Sequence, residues 1–192
     1  MKKILILVIV ALSTILSFAQ NSQHLSFKGV PIDGTLNEYV AKMKQSGFTH
    51  IGTEDGVAML KGDFAAYKNC IIGVATLKGK DLVSKITVIF PDCDTWSLLY
   101  GNYSSLKEML TQKYGNPSES VEKFQSKYVD NDNDRMYEVK MDKCDYITIF
   151  ETDKGNIQLS IEHNSVISCY VVLSYFDKIN GDIIKQKAMD DL

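Results

Sequence analysis

The chain has 192 residues, 21 Lys and Arg against 24 Asp and Glu, a formal net charge of −3, and 45% hydrophobic residues. That length suits one domain with a sizeable core. The mildly acidic balance argues against nucleic acid and anionic membrane surfaces as partners, because both select basic patches.

Residues 1–19 have the three parts of a cleavable secretory signal peptide. Met1-Lys2-Lys3 carries positive charge, Ile4 to Leu12 is unbroken apolar sequence, and Ser17 and Ala19 put small residues before a cut at Gln20. Ile4 to Phe18 falls short of the roughly 20 residues that a spanning helix needs. The expectation is a periplasmic or secreted mature chain, 20–192, with no stable membrane span after cleavage.

Phe27 to Gly34 reads as a short extended segment broken by Gly29, Pro31 and Gly34. Thr35 with Glu38 is a capping box, in which the Thr oxygen takes a backbone N–H of the first turn and the Glu reaches back to the cap. Leu36, Tyr39, Val40 and Met43 then recur at helical spacing, and Gly47 ends the helix. Glu54-Asp55-Gly56 is a turn before a strand over 57–60. Residues 71–77 and 83–90 read as a hairpin around Lys78 to Asp81.

Ser105 with Glu108 makes a second capping box, with Leu106, Met109, Leu110 and Tyr114 as apolar face and Gly115 and Pro117 as stop. Strands are expected over 121–129, 136–141, 146–150, 157–161 and 166–175. The polar runs 130–134, 152–156 and 163–165 serve as turns. Ile157, Leu159 and Ile161 alternate with Gln158, Ser160 and Glu162, the signature of one buried and one wet face. A last helix is expected to begin near Asp177 or Asp182 and run to about 188.

Thr35, Leu36, Glu38 and Val40 match Ser105, Leu106, Glu108 and Leu110, and each helix is followed by strand-like sequence. The predicted fold class is α+β: a single domain of two tandem helix-plus-antiparallel-meander units, about 27–95 and 97–190, with helices packed on one face of the sheet.

Cys70, Cys93, Cys144 and Cys169 all follow the predicted cut. An even count in an exported chain suggests disulfides, for which four cysteines allow three connectivities. Pairing within repeats, Cys70 with Cys93 and Cys144 with Cys169, matches the spacing. It strains the strand register, because Cys70 should face about residue 89.

Asp130, Asp132 and Asp134 resemble the start of a calcium loop, but Arg135 stands where the loop needs Gly and Met141 where it needs Glu. His24, His50 and His163 lack the spacing of a zinc motif, there is no GxSxG nucleophile elbow, and no Gly-rich phosphate loop is present. No catalytic residue, metal or cofactor is therefore assigned. Trp96, Tyr100 and Tyr103 cluster between the two predicted units. They fit either an exposed contact patch for protein or glycan or an aromatic seam inside the core.

The segment Phe27 to Leu36, followed by an amphipathic helix and Gly47-Phe48, resembles small secreted proteins of unknown function from Bacteroides-type bacteria. The tandem order is similar to the β-lactamase-inhibitor-protein-like architecture, in which duplicated units form a concave surface. That resemblance implies binding through the sheet face without catalysis, and carries no residue assignment with it. The functional expectation is an exported non-enzymatic binding or interaction module of the cell envelope, meeting another protein or an envelope component. The alternative is a small envelope hydrolase, or an enzyme accessory subunit, whose site is dispersed in sequence.

Overall fold

Two short strands, β1 (Ser26–Phe27) and β2 (Val30–Pro31), form a hairpin ahead of the first helix. This is a computed structural model describing residues 23–77, 79–164 and 167–190, so the predicted leader lies outside the described residues. Helix α1 (Leu36–Gln45) starts where its capping box predicts: the Thr35 side chain accepts the Glu38 N–H, and the Glu38 carboxylate accepts the Thr35 N–H at 3.1 Å. Its Leu36, Tyr39 and Met43 are buried.

Four strands follow: β3 (Thr49–Glu54), β4 (Val57–Phe64), β5 (Tyr67–Thr76) and β6 (Val83–Ile89). Then come α2 (Trp96–Tyr114), β7 (Glu119–Phe124), α3 (Asp132–Lys140), β8 (Cys144–Thr152), β9 (Gly155–Asn164), β10 (Ser168–Asp177) and α4 (Lys178–Asp190). The eight longer strands form one antiparallel sheet in the order β3-β4-β5-β6-β10-β9-β8-β7. The central pair is β6 with β10, in a register that sets Val172 opposite Ile89. Helix α1 packs against β3, β4 and β5, and α2 against β8, β9 and β10.

Side chains directly opposite on neighbouring strands share a face. One row crosses the sheet through Leu60, Ile72, Val88, Leu173, Leu159 and Thr148, and all six are essentially inaccessible. The five apolar members of the row join Tyr39 and Met43 of α1 and Leu99, Tyr103 and Leu106 of α2 in one core cluster. The hairpin of β1 and β2 adds Phe27, whose ring stacks on Phe64 at 5.0 Å and meets Tyr175 edge-on at 5.4 Å.

Three local expectations need correction. The second helix begins at Trp96, not at Ser105, so Ser105 and Glu108 sit inside it. The Thr95 side chain caps it by accepting the Leu98 N–H, and Asp132 accepts the Trp96 and Ser97 N–H groups, which starts the helix earlier than Ser105 would. Residues 136–141 fall in α3 and its C-cap rather than in a strand, because the Asn131 side chain accepts the Asp134 N–H and caps a helix there. Thr49–Glu54, assigned no element from sequence, is an edge strand whose six residues are all exposed, so its pattern carries no buried face to read.

Candidate binding surface

Trp96, Tyr100 and Tyr103 occupy the first two turns of α2 rather than a linker between units. Trp96 meets Phe124 at 4.9 Å and Tyr146 at 5.0 Å, both edge-on, and Tyr103 meets Tyr146 at 5.7 Å. Edge-to-face packing of this kind is a core arrangement. Trp96 and Tyr103 are buried, and only Tyr100, stacked on Trp96 at 5.5 Å, remains 39% exposed. The Tyr103 hydroxyl lies 2.6 Å from Thr148 Oγ1, so its polar end is satisfied inside the protein.

Beside them, a groove of about 480 Å³ between α2 and β7 is lined by Tyr100, Lys107, Glu108, Thr111 and Glu122 among others. Lys107 Nζ donates to Glu122 Oε1 at 2.5 Å and to Ser120 Oγ at 2.8 Å, tying the helix to the edge strand. The two charges compensate one another.

All four cysteines are free thiols in this structure, and the strand register argues against the two pairings expected from spacing, Cys70 with Cys93 and Cys144 with Cys169. Ile71 faces Ile89, so continuing that register puts Phe90, not Cys93, opposite Cys70. Cys144 is on β8 and Cys169 on β10, and β9 lies between them. Desolvation pushes the Cys144 thiol up to about 12 and raises Cys70, Cys93 and Cys169, which keeps all four protonated and weakly nucleophilic at neutral pH.

The histidines sit in separate polar contacts. His24 Nδ1 is 3.0 Å from Asp177, His50 Nε2 is 2.9 Å from Thr53 Oγ1, and His163 Nε2 is 3.9 Å from Asp142. Among the described residues no group of three or more His, Cys, Asp or Glu is placed to hold a metal ion. Asp132, first in the calcium-like run to show a defined role, caps α2 instead.

The feature that sequence reading missed is a second row across the sheet. It runs Lys61, Ile71, Ile89, Val172, Ser160, Ile147, Val121 through seven strands in direct register. Ile71, Ile89, Val172 and Val121 are half-buried, and Ile147 is 37% exposed. The adjoining row has Met59 at one end and Ile149 at the other, with Gly73, Thr87, Ser174 and Gln158 between them. Exposed Glu119, Glu151 and Glu162 belong to β7, β8 and β9, whereas Lys61 and Lys85 belong to β4 and β6.

A signal for this row was present. Ile71-Ile72, Val88-Ile89 and Val171-Val172-Leu173 put apolar residues at consecutive strand positions. That is the pattern of strands buried on both faces, not of strands with one wet face.

No family model, no curated protein and no solved structure matches this chain. Among the described residues no helix is long and apolar enough to cross a membrane.

Proposed function

We propose that this protein is an exported, non-enzymatic binding module that docks another protein on the second face of its sheet. The observation that carries the reading is the set of aliphatic side chains Ile71, Ile89, Val172, Ile147 and Val121, left partly open to solvent along one row that the buried Ser160 interrupts between Val172 and Ile147. Aliphatic side chains left open to solvent on one sheet face are the feature of an interaction site that supports this reading. These side chains are branched aliphatics with acidic groups toward β7 to β9, which suits a protein surface better than a glycan, whose rings stack on aromatics.

The same reading takes the fold as two related units. Each half supplies four consecutive strands, β3 to β6 and β7 to β10, and the last strand of each meets the other at the centre. Helix α1 leads the first set and α2 the second, and residues of both join the core cluster that holds the buried row. Helices gathered on that side would leave the second row to a partner, as in the inhibitor-like architecture that the sequence resembles. Export through the leader 1–19 would place this face in the periplasm or outside the cell.

The test uses the mature chain as bait against an envelope fraction of its source. A protein retained by the natural sequence should be lost with Val172→Asp or Ile147→Asp and kept with Leu98→Asp, an exposed position on α2. Circular dichroism establishes that each variant is folded. Equal retention by all three folded variants would remove the sheet face as the docking site.

A further inference from the structure

Cys93 and Cys169 stand opposite one another in the structure. The β6–β10 register pairs Ile89 with Val172, and the Phe90 N–H continues it by donating to the Val171 carbonyl at 3.0 Å. Cys93, three residues further on, donates its N–H to the Cys169 carbonyl at 2.8 Å. Strict continuation would have brought Asp92 to that place, so one extra residue is absorbed at Pro91-Asp92, as in a β-bulge. Ser168 Oγ also donates to the Asp92 carboxylate at 3.2 Å, which holds the bulged segment against the start of β10. The bulge moves Cys93 into the position facing Cys169, and both are buried.

We propose that Cys93 and Cys169 are a disulfide site, closed on oxidation, and that Cys70 and Cys144 stay as thiols. Residues directly opposite one another on antiparallel chains have Cα atoms about 4.5–5.5 Å apart. That falls inside the roughly 4.4–6.8 Å that a disulfide spans. Cys144 is two strands from Cys169, at a strand spacing that puts it roughly 9.5 Å away. Cys70 looks across at Phe90 by register and is separated from β10 by the whole of β6. Geometry therefore selects one pair and rejects the two that spacing suggests.

The chemistry is thiol–disulfide exchange with an oxidant of the disulfide class, either a small-molecule disulfide or a disulfide-carrying oxidoreductase. One thiolate attacks the oxidant's S–S bond, forming a mixed disulfide and releasing one oxidant thiol. The second thiolate then displaces the other oxidant sulfur. Two protons and two electrons leave the cysteines, and the oxidant's S–S bond becomes two thiols. Cys93 Sγ is inside the fold, accepting from Asn102 Nδ2 at 3.3 Å, so exchange belongs to folding, before α2 covers the pair. The bond would close a loop containing α2, β7, α3, β8 and β9, joining the end of β6 directly to the start of β10. It is independent of the sheet-face reading.

The experiment is refolding of the mature chain in a buffer of reduced and oxidised glutathione, followed by denaturation, alkylation without reduction, and mass analysis. The expected product is about 2 Da lighter than the reduced chain, alkylated at Cys70 and Cys144, with one cross-linked peptide pair containing Cys93 and Cys169. The Cys70→Ser/Cys144→Ser variant keeps the proposed pair and should show the same mass loss, with reduction lowering its Tm by several degrees. A Cys70–Cys93 or Cys144–Cys169 cross-link would overturn the proposal. So would four alkylated thiols in the natural chain, or no mass loss in the folded double variant.

Discussion

The Asp132 carboxylate of α3 accepts the Trp96 N–H of α2 at 2.9 Å, while its other oxygen accepts the Ser97 N–H at 2.9 Å and the Ser97 hydroxyl at 2.6 Å. An anion at a helix N-terminus satisfies orphan donors and complements the helix dipole. The Ser97 hydroxyl bond, aided by the two N–H bonds, holds the Asp132 pKa below its ordinary value. A lowered carboxylate pKa adds stability that is present above the unfolded value, near 3.9, and is lost as the pH falls through the folded one. Asp132→Ala should lower Tm by a few degrees at neutral pH and flatten the acid limb of the Tm–pH profile. Asp132→Asn, with one acceptor oxygen left, should fall between. Thermal melts between pH 2.5 and 7 check both.

Tyr103 and Tyr100 are three residues apart on one helix, and truncation should cost far more at Tyr103 than at Tyr100. Tyr103 is inaccessible and its hydroxyl is satisfied by Thr148, which also contacts Ser120 Oγ at 3.1 Å. Tyr103→Phe should cost about 1 kcal/mol for the lost hydrogen bond. Tyr103→Ala should cost about 3–5 kcal/mol, the range for emptying a buried aromatic site. Tyr100→Ala, at a half-open position, should stay under about 1 kcal/mol. Urea unfolding of the three variants separates a core seam from an exposed contact patch.

How much of this could be read beforehand varied with where the determining partner lay. Helix α1 was legible because Thr35 and Glu38, its whole start signal, are three residues apart. The β8–β9 hairpin was legible because Ile157, Leu159 and Ile161 alternate with polar residues over a short turn. The start of α2 was missed because its local cap, Thr95, has Leu98 rather than Glu three residues on and makes no capping box, while its charged partner, Asp132, lies 36 positions away in sequence. Helix α3 was misread because its Asn-Asp run suits a turn as well as a cap. The second sheet row and the facing of Cys93 with Cys169 depend on register between distant strands, and on a one-residue bulge that spacing alone does not reveal.

Buried tyrosines set an alkaline limit to stability. Desolvation pushes Tyr103 and Tyr146 up to about 12, and raises Tyr39 and Tyr175 as well. In the unfolded chain a tyrosine titrates near 10. Between the two values the unfolded state has already lost protons that the folded state keeps, so stability falls as the pH rises. Below pH 10 the contribution is intact. The raised thiols add the same effect from about pH 8.5, where an unfolded Cys titrates, so denaturant midpoints should be flat from pH 7 to about 8, decline gently from there, and decline steeply above 10. Tyrosinate absorbance in the native state should lag behind that of the denatured chain.

The β4–β5 turn offers a stabilising change. Ala65 and Ala66 form the two-residue loop between Phe64 and Tyr67, with φ of 50° and 69°. Positive φ at both central residues is the requirement of a type I′ hairpin, whose preferred pair is Asn-Gly or Asp-Gly. Two other tight hairpins in the protein place Gly second: Lys28-Gly29 at φ 52° and 77°, and Asp55-Gly56 at φ 48° and 77°. At Ala65 and Ala66 each Cβ bears the left-handed cost of about 1 kcal/mol or more. Ala66→Gly relieves that cost at the second position but loosens the unfolded chain, so its net gain should be about 0.5 kcal/mol. Ala65→Asn with Ala66→Gly should gain about 1–2 kcal/mol. The denaturant midpoint should rise at an unchanged m-value. A fall in midpoint for the double variant would mean that the alanine methyl groups supply packing against Phe64 and Tyr67 worth more than the backbone strain.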